Sequence, residues 1–318
     1  MKSLLLLLIS VMTLWSDAHI FVYHRFGDDR HPSTNTSTKE LIKEFEFFKK
    51  NNYKVVPLET LVTKIKNQEN IPDNWIVLTI DDNFKSFYRN GFEIFKKYGY
   101  PFSMFVYVEA TQKKYPDYMS WKELKEISQY GSLEFHSYSH PHMTYKTDKF
   151  LENDFKKGLE IFQKNLGFTP KYFSYPYGEY SKRVKNIAKK FGFEAIINQN
   201  MGAIGKNSTV YNLDRNALVG KSNLPYFLKF RHLDAKWIEP KTYPKNSLLK
   251  TLHVKLKDRI KKASIYVSHY GWFTENINSN EIKLDINKKL KNGRYRIIVS
   301  TKNMISTKLL IKDKYGTE

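Results

Sequence analysis

Residues Trp75 to Asn83 read WIVLTIDDN, an apolar run that stops on two adjacent carboxylates. Ile76, Val77, Leu78 and Ile80 have the character of a strand buried on both faces, as in a parallel sheet covered by helices. Asp81 and Asp82 then fall where that strand emerges. Two neighbouring carboxylates repel each other, so such a pair calls for a cation or a shared proton. A catalytic or metal-binding pair is one explanation. An Asp-Asn turn capping the next helix is the other, since both residue types favour helix starts and turns.

Leu133 to His142 reads LEFHSYSHPH, again a short apolar strand ending in polar residues, with His136 and His140 four apart. Imidazole suits zinc and similar divalent ions, and a catalytic tetrahedral site takes three protein ligands plus water. One carboxylate and two histidines complete that set.

Outward from these stretches the chain alternates strand with helix. Ile20 to His24 reads as the first strand, followed by a helix over Lys39 to Lys50 with Leu41, Phe45 and Phe48 on one side and Ser37 with Glu40 as its capping box. Further strands are expected at Tyr53 to Val56, Phe102 to Tyr107, Tyr172 to Tyr175 and Ala195 to Asn198, with helices between them. Such alternation demands right-handed crossovers and a parallel sheet, and about seven units suit a closed or nearly closed barrel. Barrels place chemistry at the C-terminal strand ends. Asp81, Asp82, His136, His140 and Tyr177 all fall at such ends, and His24 ends the first strand in the same sense.

After Pro244 the texture changes to short alternating strands, at 251–256, 264–268, 282–286, 294–300 and 306–311, so residues 246–318 read as a small β-sandwich appended to a barrel over 19–245. Tyr270, Trp272 and Phe273 are either sugar-stacking residues or sandwich core. At the other end, Lys2 precedes the apolar run Leu4 to Leu14, with small residues ending at Ala18, the pattern of a secretory leader over 1–18 and hence of a secreted or periplasmic protein. An uncleaved anchor fits the same run.

The chain has no cysteine, so its 318 residues must be held by core burial. Lys and Arg number 53 against 32 acidic residues, a formal charge of +21. No zinc knuckle, aromatic RNA-reading motif or long basic tail accompanies that excess, which argues against nucleic acid and suits an anionic cell envelope.

The motifs resemble those of the polysaccharide deacetylases of the NodB-homology type, carbohydrate esterase family 4. Thr79 to Asn83 matches that family's Thr-Phe-Asp-Asp-Gly motif, His136 to His140 its His-Ser/Thr-x-x-His motif, and Ser174 to Gly178 its Arg-x-Pro-Tyr-Gly motif. The resemblance implies a distorted (β/α)7 barrel, a monomer, and a divalent metal ion, zinc above others, held by Asp82, His136 and His140. It further implies Asp81 as general base and the backbone N-H of Tyr177 as oxyanion donor. Three departures stand out. Asn83 replaces Gly, Ser174 stands where many members have the Arg that orients the base, and the late Leu-x-His motif carrying the acid is missing. His232, His253 and His269 are candidates for that acid by position. Tyr23-His24 resembles instead the subgroup acting on poly-β-1,6-N-acetylglucosamine, which selects His24. The expected activity is N-deacetylation of an N-acetylglucosamine polymer, an exopolysaccharide before peptidoglycan. A non-catalytic glycan-binding protein and a deacetylase of small or lipid-linked glycans are the alternatives.

Overall fold

The computed structural model of the chain describes residues 17–316. The expected leader therefore lies outside the described residues except for Asp17 and Ala18, which open the first strand, Asp17–Tyr23. Both residues are paired there, Asp17 with Gly205 and Ala18 with Ile204. The Asp17 carboxylate also accepts a hydrogen bond from the His232 backbone N-H at 2.8 Å.

The first strand runs parallel to Trp75–Asp81, and the ring continues through Ser103–Val106, Ser132–Phe135, Tyr172–Ser174 and Ala195–Ile197. The ring closes through a broken stave. Leu213 bridges Ile197 in parallel, and Asn216 and Ala217 pair with Phe21 and Val22. This is a distorted (β/α)7 barrel, but its seventh stave differs from the expected one. The strand expected at Tyr53 to Val56 shrinks to Lys54–Val55, which pairs only with the N-terminal end of Trp75–Asp81. Trp75–Asp81 is buried from Ile76 onward, as a stave covered on both faces must be.

Helices cover the barrel by the apolar face their sequence provides. Thr38–Lys50 buries Leu41, Phe45 and Phe48, and its Ser37 N-cap accepts from the Glu40 N-H. Each such fully buried side chain contributes about 1.5–3 kcal/mol. Ser120 and Glu123 form a complete capping box ahead of Trp121–Ile127.

The C-terminal part is a six-stranded sheet built on a long hairpin, Leu248–Val267 with Gly271–Lys289. The separate strands expected at 251–256 and 264–268 are the two ends of one strand. Their shared middle, Lys257 to Lys262, is largely exposed, and the register shifts there. Solvated lysines on a continuous backbone read from sequence as a break. Leu252, Val254, Ile265 and Val267 from both ends enter one apolar core, which supplies the sandwich-like interior. The sheet also recruits Arg231–His232 and Ala235–Glu239, which precede residue 246.

Candidate active site

The strand ends deliver Asp82, His136 and His140 to one point. Asp82 Oδ1 lies 3.4 Å from His136 Nε2 and 3.0 Å from His140 Nε2. One donor atom from each residue fits within a 4.8 Å span. Three features indicate that this group suits a cation. The Oδ1 atom is buried with no hydrogen-bond partner. His136 Nδ1 sits 2.8 Å from the Ser174 carbonyl oxygen, which can only accept, so Nδ1 carries the proton and Nε2 offers its lone pair toward Asp82. A carboxylate and two imidazoles are also a donor set appropriate to zinc and similar ions.

The loops that carry these residues are held under strain. Asp82, Asn83, Ser137, His140 and Tyr177 all have positive φ, between 44° and 71°. Non-glycine residues take that region at a cost, and they gather where surrounding contacts impose it. Asn83 supplies such contacts. Its side chain accepts from the Tyr107 N-H and donates to Thr111, which explains how a residue other than Gly serves in this motif. Asp154, reaching in from the helix Asp148–Leu166, accepts from the N-H groups of Tyr138 and Ser139 and pins the histidine loop.

Asp81 is oriented by Arg215. The guanidinium donates to Asp81 Oδ1 at 2.8 Å and to Oδ2 at 2.7 Å, and also reaches Ser174 Oγ, Thr79 Oγ1 and the Asn198 carbonyl. Arg215 lies on the broken stave, and both partners of the pair are fully buried. Burial pushes the Asp81 carboxyl up, but Arg215 and then His136 outweigh it and hold Asp81 below the usual carboxylate range. The missing Arg at position 174 is thus replaced by one arriving forty-one residues later, with Ser174 making room, accepting from Arg215 and donating to Asp81. Sequence reading did not find Arg215; the one available hint was Ser174 itself.

His24 lies just beyond the first strand, where the charges of Asp81, Asp82, Arg215 and His136 all act on it. Burial dominates and lowers its proton affinity, and its Nδ1 is buried without a partner. The three alternative acids are engaged in or beside the C-terminal sheet: His232 with Ala203, His253 with Glu281, and His269 with Asn292. Tyr177 stands at the rim, its ring stacked on His142 at 4.0 Å and edge-on to His140 at 4.6 Å.

A (β/α)7 barrel with a strand-end carboxylate pair and two converging imidazoles is an arrangement suited to metal-assisted hydrolysis. Residues 68–196 match the model of the polysaccharide deacetylase family. A poly-β-1,6-N-acetyl-D-glucosamine N-deacetylase of Staphylococcus aureus is 24% identical over 230 residues, spanning 68% of this chain and 77% of that protein. Among solved structures, the Streptococcus pyogenes deacetylase PplD in complex with acetate superposes with a TM-score of 0.59 at 20% identity, over 64% of this chain and 92% of that one. IcaB from Ammonifex degensii gives 0.58 at 19% identity, over 67% and 94%. These two establish likeness of fold.

Proposed function

We propose that the protein is a secreted, metal-dependent N-deacetylase of an N-acetylglucosamine polymer, with poly-β-1,6-N-acetylglucosamine as the substrate class. The observation that carries this reading is the meeting of Asp82, His136 and His140 beside an Asp81 locked by Arg215. The likeness to the Staphylococcus enzyme, spread over two thirds of the chain, supports the substrate class. Secretion rests on the leader pattern. The pairing of Asp17 and Ala18 within the barrel favours a cut ahead of Asp17.

Asp82, His136 and His140 would hold a divalent ion, with zinc the best match to the donor set; when bound, it polarises the acetamide carbonyl and acidifies the attacking water. Asp81, ionised and fixed by Arg215, takes the proton of that water at a carboxylate oxygen. As the carbon-oxygen bond forms, negative charge gathers on the former carbonyl oxygen, and the Tyr177 backbone N-H donates to it. His24 returns a proton to the amide nitrogen as the carbon-nitrogen bond breaks, leaving acetate and a free amine. Burial lowers its proton affinity, and a weakly held proton is readily given up.

Acetate release from N-acetylglucosamine oligomers tests the reading. Asp81→Asn should lower turnover at least about a hundredfold, and a melting curve separates that loss from the destabilisation of a buried Arg215 left without its counter-charge. Undiminished release would reject Asp81 as the base, and no release by the parent protein with any added divalent ion would favour a glycan-binding role.

A further inference from the structure

Between the helix Lys182–Lys190 and the C-terminal sheet lies a cavity of about 630 Å³. Five lysines line it: Lys182, Lys185 and Lys189 from the helix, Lys241 from the segment ahead of the long hairpin, and Lys308 from the last strand. Spacings of three and four place the helix lysines on one face. The acidic residue in the cavity, Asp313, is already committed to Arg183 at 2.8 Å, and Arg183 in turn also binds Asp148. The ammonium groups therefore lack acidic partners among the described residues. Lys185 and Lys308 are half-buried. Burial weakens the hold of each on its proton, and repulsion adds to it, from Lys189 and Lys182 on Lys185 and from Lys185 on Lys308. Lys182, Lys189 and Lys241 are exposed and add to the positive potential around that pair, which an entering anion would offset.

We propose that this cavity binds a phosphate-bearing polymer at a site separate from the deacetylase centre. Phosphate is favoured over carboxylate because tetrahedral oxygens accept from ammonium groups arriving from several directions. The planar fork that suits a carboxylate, Arg183, is occupied. A polymer is favoured over a single ion because the charges come from three separate elements around a volume larger than one phosphate. Tyr243, Leu309 and Ile311 add apolar surface for the carbon units between phosphates. Tyr180 and Ser181 border the cavity one residue past the turn Pro176–Gly178, so a polymer held here would moor the enzyme with its catalytic rim alongside.

The test is titration calorimetry of the full chain with a glycerol phosphate oligomer, inorganic pyrophosphate and an oligogalacturonate. The glycerol phosphate oligomer should bind most tightly. Lys185→Gln with Lys308→Gln should weaken it at least about tenfold, while Lys257→Gln with Lys261→Gln, an equal loss of charge on the exposed strand, should change it less than about twofold. Acetate release from a neutral substrate should be the same in both. Without ligand the cavity pair should melt no lower than the parent, because repulsion has been relieved. If that pair does not fold, Lys182→Gln with Lys189→Gln on the exposed helix face makes the same comparison. Equal weakening by the two pairs, tighter binding of the oligogalacturonate, pyrophosphate binding as tightly as the oligomer, or no binding at all would each overturn the proposal.

Discussion

Arg215 grips Asp81 through two hydrogen bonds of 2.8 and 2.7 Å in a pair wholly shut off from solvent. Removing the cation leaves a buried carboxylate without its counter-charge. Arg215→Met should therefore cost about 3–5 kcal/mol at neutral pH. The sign with pH follows from the direction of the shift. Asp81 is held below its unfolded value, so its contribution is present above that value and is lost as pH falls through the folded one. Urea unfolding curves of parent and variant should differ at pH 7 and converge in acid; a constant gap would place the effect elsewhere.

The C-terminal sheet reaches the catalytic rim through Arg294, which donates to the Tyr177 carbonyl at 3.0 Å and to Glu179 at 3.2 Å. Glu179 also holds His142, on which the Tyr177 ring is stacked. Arg294→Gln should loosen the turn that presents the Tyr177 N-H. One charge-assisted hydrogen bond, about 1.5 kcal/mol, corresponds to roughly a tenfold fall in kcat. Steady-state kinetics with a melting curve checks this, and an unchanged kcat would make the contact purely structural.

Gly178 has φ +63°, and a Cβ placed there would lie 2.6 Å from Gln199 Cβ. Both atoms are fixed to backbone, so Gly178→Ala must displace one segment or the other. Gln199 donates to Asp81 at 3.3 Å, which carries the displacement to that carboxylate. A destabilisation of about 1–3 kcal/mol with a more than tenfold loss of acetate release is expected. Parent-like activity would mean the turn is more pliant than its contacts imply.

Glu44 is buried against Tyr23, whose hydroxyl donates to it at 2.7 Å. Burial pushes its carboxyl up to about 7. A raised carboxyl contributes stability that is present below its unfolded value and lost as pH rises through about 7. Glu44→Gln should therefore stabilise the protein at pH 8, by up to about 3 kcal/mol, and be close to neutral near pH 4.5. Denaturant melts at the two values decide it, and equal effects at both would place the carboxyl's titration outside this range.

The C-terminal ends of the staves were legible because Asp81 and Asp82 follow Ile80 and His136 follows Phe135, each at the close of a strand. Local periodicity carries both the strand and its end. Arg215 was not legible because the stave bearing it has a single bridge at Leu213 and two paired residues at Asn216 and Ala217, too little regular pairing to leave an alternation in the sequence. A lone arginine between Asp214 and Asn216 resembles a surface loop, and only the fold shows that it points inward to Asp81. The long hairpin was hidden for the opposite reason. Of Lys257 to Lys262 in its exposed middle only Ile260 packs against the core, so the segment carries little pattern of burial, although the pairing resumes at Ile260 and continues to Val267. The role of Arg294 depends on how the sheet sits against the barrel, a relation between distant segments that no local pattern encodes.

One divalent ion held by Asp82, His136 and His140 should be required for amide hydrolysis. Stripping the protein with a chelator and following acetate release from an N-acetylglucosamine oligomer as zinc is added back tests it most directly. Activity should be absent at first and rise to a plateau at one equivalent of zinc, and Asp82→Asn should abolish the rise. Full activity in the stripped protein, or a rise undisturbed by Asp82→Asn, would contradict it.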